Sequence, residues 1–581
     1  MRIALMGGRL GRIEPQGPRS HRSLVRVNEA AREASVTPSP RPARPSARAA
    51  LVVFALVLAA AFAVLLAIGR YRWFTHDEWD YLAGRDGGDL WNVLIPHNEH
   101  WSTLPILTYR VLFRFVGLHS YLPYRVVLLA LHLTAAALLR VVMRRAGVGP
   151  WIATGAALSL VFFGSGSENI LWAVQIGFIG ALVLGLAQLL LADHDGPVDH
   201  RDWLGLLAGF AGLLCSSVAL TMVGVVGLAT LVRRGWRPAV LHTAPLVAVY
   251  AIWFRAFQDE TTAQGVGYTH YAVSSPQEVA RFVATGVSAA FDGIGQVPGV
   301  GWVLGIILVV GLFLAWRRLD GAERRARLAM PAALLTGAFV SLCITGIARA
   351  AAFGSEFART GRYLYVFVAL SLPALGVAAD AVARRWSFLA PVALAVFLVG
   401  IPGNVDALLQ RRRSELSFQT ENRRLILTLP RVPAAHEVPR STRPEQQLAK
   451  PLTLGWLLDG VASGRIPKPA YISPVGAATA TLHLALNQQP DVFRTKACRN
   501  STTPLEVQLP AQQSIGIHGV VRVVYINAAG VRSRAVTFKP DESVVLEGGK
   551  VLPGPRLVAL TGPLTLEVDS AKPAVPVALC L

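Results

Sequence analysis

Lysine is almost missing from this chain. Only six residues are Lys, all from Lys450 onward, and the other 50 of the 56 basic residues are Arg. Charge of either sign is scarce as well, at 16% of residues, against about 25% in an ordinary soluble domain. Four cysteines in 581 residues exclude a small disulfide scaffold. No G-x-x-x-x-G-K-[ST] stretch occurs, so nothing points to ATP use. In place of charge the chain has 53% hydrophobic residues and a mean hydropathy of +0.45. The apolar residues form long uncharged runs, with the charges set between them. That pattern excludes a soluble cytosolic enzyme and a disordered chain. It fits a polytopic α-helical membrane protein.

The net charge of +21 therefore needs a reading other than nucleic-acid binding. Ten Arg and three Glu give +7 in residues 1–49, 21 basic and 13 acidic residues give +8 in 404–581, and +6 remains for the core. No single basic patch results, and no nucleic-acid partner is expected. Arg between spans is first explained by cytoplasmic loops and lipid headgroups. Residues 1–49, with the Pro-rich stretch TPSPRPARPSAR, read as a disordered basic cytoplasmic arm.

Residues 51–69 (LVVFALVLAAAFAVLLAIG) are uncharged and are followed by RYRWF, without a small-residue cleavage site. The run exceeds the roughly 15 residues of a signal-peptide core and reads as a retained first span. Further spans are expected near 121–142, 149–165, 170–191, 203–232, 238–256, 298–316, 329–348, 363–382 and 387–402. The 203–232 stretch is too long for one span and divides near Ser216 and Ser217, for about 11 spans in all. Arg144/Arg145, Arg233/Arg234/Arg237, Arg317/Arg318 with Arg324/Arg325/Arg327, and Arg384/Arg385 then share one side with the arm. The positive-inside rule makes that side the cytoplasm. This implies a cell-membrane protein with a transmembrane domain at 50–403, long outer loops at 70–120 and 257–297, and residues 404–581 outside.

The tail changes character. Short alternating runs at 505–509, 519–525, 535–538, 556–560 and 564–568 read as a small antiparallel β-rich extracytoplasmic domain, after a partly helical lead-in at 414–462. Its Cys498 and Cys580 are a candidate disulfide, the alternative being two free thiols. Its basic balance suits either an anionic envelope polymer or lipid headgroups.

The first outer loop carries the chemistry. WFTHDEWDY sets His76, Asp77, Glu78 and Asp80 within five residues, with Tyr81 next, and IPHNEHW adds His97, Glu99, His100 and Trp101. Carboxylates this close repel one another when ionised and persist for a metal, a cationic partner or a base. Trp73, Trp79, Trp91 and Trp101 enclose the block, although an interfacial aromatic belt explains Trp here equally well. A divalent cation is a possible ligand, since oxygen-rich sites suit Mg, Mn or Ca and paired His suits Zn, but none is expected to be obligatory. In GSGSENILWAVQ, Glu168, Trp172 and Gln175 are spaced to share a helix face and to line a cavity.

Asp77-Glu78-x-x-Tyr81 just after the first span resembles the first-loop signature of the GT-C glycosyltransferases, nearest in pattern to bacterial protein O-mannosyltransferases and lipid A aminoarabinose transferases. HWSTLPILTYRVLFRFVGLHSYLPYRVV continues the likeness, with Pro105, Phe115, Gly117 and Arg125 in corresponding places. So does RTGRYLYVFVALSLPAL, with Arg362 and Tyr363. His97-Asn98-Glu99-His100 and Tyr365 depart from those relatives. The resemblance implies a polyprenyl-phosphate sugar donor and an envelope glycan, glycolipid or protein acceptor. It implies Asp77 as catalytic base and Glu78 as supporting carboxylate, and Arg362, with Arg359, Arg349 and Tyr363, at the leaving phosphate. The sugar is open between mannose and arabinofuranose. Competing classes are a transporter or flippase for a lipid-linked precursor, and a non-catalytic envelope assembly protein on a GT-C core. The first needs charges along an intramembrane pathway, which the runs lack.

Overall fold

The structure is a computed structural model that describes residues 47–85, 90–263, 273–489, 498–518, 520–538, 556–571 and 577–580. The arm expected at 1–49 lies outside these residues apart from its last three. Ala50–Leu581 forms one unit, which contains everything described below apart from the first three residues of the first helix.

The long apolar runs fold as helices. They are α1 (Ala47–Ile68), α2 (Thr103–Val116), α3 (Leu122–Arg145), α4 (Pro150–Val161), α5 (Ser167–Leu171), α6 (Ile176–Ala192), α7 (His200–Leu213) and α8 (Val218–Arg234). After them come α9 (Trp236–Ala263), α10 (Pro276–Gly295), α11 (Val300–Arg318), α12 (Gly321–Phe353), α13 (Gly361–Arg385), α14 (Ala390–Leu398) and α15 (Ile401–Thr428). Among the described residues, eight helices are long and apolar enough to cross a membrane. The chain is thus a polytopic helical membrane protein. Large apolar side chains remain on their outer faces: on α11, Ile306, Val309 and Phe313 are 57–71% exposed. Their i, i+3, i+7 spacing makes a lipid-facing stripe. α13 is the opposite case, buried almost throughout and packed against α3, α4, α10, α11, α12 and α14.

The 203–232 stretch does break at Leu214–Ser217, where the Ser216 hydroxyl accepts from the Val218 amide at 3.4 Å. The expected loop at 257–297 is different. Much of it is α10, opened by a capping box between Ser275 and Glu278 and burying Phe282, Gly286, Ala289 and Ala290. Its Glu278, Arg281 and Asp292 hid an amphipathic helix from a search for uncharged runs.

The arginine clusters meet at one end of the bundle. Arg145 and Arg233 pair with Asp193 at 3.6 and 3.1 Å, and Arg384 donates to the Gly147 carbonyl at 2.7 Å. The first loop lies at the other end, against the α7–α8 break and the start of α13.

The C-terminal region adds α16 (Leu454–Ala462), α17 (Pro474–Ala485) and, among the described residues, nine strands. β1 (Leu486–Gln489), β7 (Arg556–Ala559), β4 (Ser514–His518), β9 (Val577–Cys580) and β2 (Cys498–Ser501) form one antiparallel sheet in that order. β3 (Leu505–Leu509), β8 (Leu564–Ser570), β5 (Val521–Ile526) and β6 (Val536–Phe538) form the other. Ile515 and Leu557 of the first sheet share a core with Val523, Leu566 and Val568 of the second. Cys498 stands opposite Cys580 in the β2–β9 register; the two side chains lie outside the described residues.

Candidate active site

The first loop is held from three sides. At the end of α1, Gly69 has no room for a side chain, because the Arg125 guanidinium would lie 1.2 Å from its Cβ. Arg125, fully buried, donates to the Leu65 carbonyl at 2.7 Å and the Leu171 carbonyl at 3.4 Å, satisfying carbonyls at two helix ends. Residues 71–74 then run along α15. Tyr71 and Arg72 both bind Glu415 at 3.0 and 2.8 Å, the Trp73 amide donates to Gln419 at 3.0 Å, and Asn422 donates to the Phe74 carbonyl at 3.0 Å. Glu415, Gln419 and Asn422 are one face of a helix, a stripe readable in the sequence but not singled out there.

Glu78 is completely buried. Its Oε1 accepts from the hydroxyls of Tyr109 and Tyr121, each at 2.6 Å, and its Oε2 from the Trp172 indole at 3.0 Å and the Thr75 amide at 2.9 Å. Burial raises its pKa, and these donors offset that only in part. Enclosed in this way, Glu78 ties the loop to α2, α3 and the segment after α5.

Asp77 is the carboxylate left open. Its side chain is 40% exposed, with His97 Nε2 at 3.7 Å. The other ring nitrogen, Nδ1, is 2.7 Å from Asp80, which also accepts from Arg85 Nε at 3.2 Å. Arg85 goes on to the carbonyls of Asn92, Ile95 and Pro96, each at 2.7 Å. Burial works against a charged His97, yet its bonds to Asp77 and Asp80 raise its pKa to about 9. For Asp77, too, burial raises the pKa, but the His97 hydrogen bond and the charges of His97, His76 and Arg362 outweigh it and hold the carboxyl low. Asp80 is held low in the same way by His97 and Arg85. At neutral pH the group is a carboxylate–imidazolium–carboxylate chain.

Two residues of the loop sit in the left-handed region, His76 at φ 51° and Asn98 at φ 52°. Such positions cost about 1–3 kcal/mol and gather at functional sites. Asn98 turns His97 back on His100, whose backbones exchange two hydrogen bonds of 3.0 Å. Glu99 is gripped at 2.7 Å through both oxygens by Arg349 near the end of α12. His100 lies 2.5 Å from the Ser217 hydroxyl, and burial, with the charges of His97, Arg362 and Arg349, pushes it down to about 3. Tyr81 is buried edge-on against His97. Asp80 to Gly84 forms a π-helical turn, a form frequent at functional sites.

Arg362 opens α13, half-buried, with its guanidinium over the Tyr363 ring at 5.4 Å. Among the described residues it has no hydrogen bond or ion pair, yet its charge acts on both Asp77 and His100. Arg359, by contrast, is spent on Glu356 at 2.6 Å, both exposed. Trp101 is also apart, stacked 4.8 Å from Trp253 in a separate apolar cluster.

Glu168, Trp172 and Gln175 do not share one helix face, because the chain leaves the helix at Trp172 (φ −107°, ψ 114°) and restarts as a 3₁₀ turn. Glu168 still lies beside the start of α13: a side chain on Gly361 would meet the Ser165 carbonyl at 2.9 Å and Glu168 Cγ at 3.8 Å. Among the described residues, Glu168 Oε2, Gln175 Oε1 and both amide atoms of Asn169 are buried without a partner. Asn169, a polar residue set in an apolar run, was the residue missed here.

Among the described residues of the loop, Glu78, Asp80 and Glu99 are already held by protein donors, which leaves Asp77 alone to offer a divalent cation an open carboxylate. The only close His/Asp group with ligand spacing among the described residues is His194, Asp199 and Asp202, at the arginine end. Compared with protein-family models, curated proteins and solved structures, the chain matches none of them.

Proposed function

We propose that the protein is a cell-membrane glycosyltransferase that moves one sugar from a polyprenyl phosphate to an envelope acceptor on the outer face. The observation that carries this reading is the open Asp77 carboxylate within reach of the charge of Arg362, which has no hydrogen bond or ion pair among the described residues. The acceptor hydroxyl oxygen attacks the anomeric carbon while the bond from that carbon to the phosphate oxygen breaks. The electron pair leaves on the phosphate, and the hydroxyl proton passes to Asp77. His97 holds Asp77 ionised and oriented, and Glu78 positions the loop. Arg362 compensates the charge of the departing phosphate, for which a planar guanidinium is suited because it can bind two oxygens at once. A low pKa makes Asp77 a mild base, which suffices when the sugar carbon is already cationic in the transition state and the hydroxyl has become acidic. The eight helices among the described residues that are long and apolar enough to cross a membrane suit a bilayer, where a lipid-linked donor resides.

The test is a membrane transfer assay with a panel of radiolabelled polyprenyl-phosphate sugars, comparing wild type with Asp77→Asn. One donor consumed by wild type and spared by the variant supports the reading. No donor distinguishing the two sinks it.

A further inference from the structure

A cavity of about 620 Å³ lies between α15, the 443–448 segment, α17 and the β5–β6 side of the C-terminal region. That is within the roughly 300–1,000 Å³ of small-ligand sites. The same elements touch the first loop. Leu448, in the cavity wall, accepts from the His76 amide at 2.7 Å, and Asn422, also in the wall, donates to the Phe74 carbonyl at 3.0 Å.

Two features of the wall specify a ligand. Arg424 and Arg443 line the cavity without a hydrogen bond or ion pair among the described residues. The nearby acids do not neutralise them: Glu421 pairs with Arg534 at 2.5 Å, and Glu445 accepts from the amides of Gln447 and Leu448 at 3.0 and 3.2 Å. Finally, Tyr471 and Phe418 present exposed ring surface, 74% and 38%. Free cations and aromatic rings for the C–H face of a ring together describe an acidic sugar.

We propose that this cavity binds an acidic saccharide and anchors the acceptor glycan next to Asp77. The word acceptor rests on the transferase reading above; the binding itself does not. The experiment is calorimetric titration of the purified full-length protein with three probes: a glucuronic-acid trisaccharide, the matching neutral glucose trisaccharide, and inorganic phosphate. The acidic trisaccharide should bind, and the neutral one about tenfold or more weakly. Arg424→Gln/Arg443→Gln should lose a similar factor. Equal binding of acidic and neutral probes, no effect of the double substitution, or phosphate competing as well as the trisaccharide would overturn the site. If the saccharide binds but no lipid-linked donor is ever consumed, the transferase reading fails and the site stands. If transfer depends on Asp77 while the arginine pair changes neither binding nor the acceptor KM, the site fails and the transferase reading stands.

Discussion

Two acid–histidine–arginine clusters sit at opposite ends of the helical bundle, and only one leaves a carboxylate open. At the arginine end Asp202 is fully buried. Its Oδ1 takes Arg234 at 2.5 Å and His242 at 3.0 Å, and its Oδ2 takes His194 at 3.0 Å and the Asp199 amide at 2.9 Å. Asp199 caps α7 through the Arg201 amide and chelates the Arg201 guanidinium. Every oxygen is used, and the product is a brace that closes a helix terminus. In the first loop Glu78 and Asp80 are used up in the same manner, but Asp77 keeps an open side beside His97, and the charge of Arg362, which has no hydrogen bond or ion pair among the described residues, acts on it. Residue types alone therefore do not separate a brace from a site. What separates them is whether a charged oxygen and a charged nitrogen have been left without each other.

That difference can be broken by substitution. The largest effect is expected from Asp77→Asn, about 10²–10⁴-fold in the initial transfer rate, with only a small fall in the unfolding midpoint from the lost His97 pair. Next is Glu78→Ala, which strands the donors of Tyr109, Tyr121 and Trp172. Each costs about 1–3 kcal/mol, so the thermal midpoint should fall sharply. Asp202→Asn uncouples a buried Arg234 and should cost about 3 kcal/mol, while transfer per folded molecule persists. Arg362→Lys keeps the charge but loses the fork, and kcat/KM for the donor should fall about tenfold.

The smallest effect is a pH dependence. The pKa of His97 is raised from 6.5 to about 9, so the stability contributed by its ion pairs is complete below about 6.5. It is lost as pH rises through 9. The thermal midpoint should decline between about pH 6.5 and 9 and transfer should fall as pH rises through 9, and His97→Gln should remove both trends.

Much of the fold was legible because span-length apolar runs have few alternatives in water or lipid. The break at Ser216–Ser217 and strands β3, β5, β6, β7 and β8 could be read from local pattern. α10 could not, because its charges interrupt the run. Strands β1, β2, β4 and β9 are held by partners distant in sequence, as Gly516 and Cys580 show. The acid block could be read as chemistry, but not how its members divide the work. Glu78 became a clamp because Tyr109, Tyr121 and Trp172 converge on it from three separate elements, and Arg359 was drawn off by Glu356 three residues away. Asn169 and the Glu415–Gln419–Asn422 stripe were visible as polar residues at regular spacing, without sign of what they would meet.

The most direct measurement is single-turnover transfer per folded molecule, with thermal unfolding on the same samples, for Asp77→Asn and Asp202→Asn side by side. The expected result is a crossed pair: Asp77→Asn unfolds close to the wild-type midpoint and does not transfer, and Asp202→Asn unfolds early and transfers normally while folded. Normal transfer by Asp77→Asn, or loss of transfer by folded Asp202→Asn to the same degree, would contradict the assignment of Asp77 as the base.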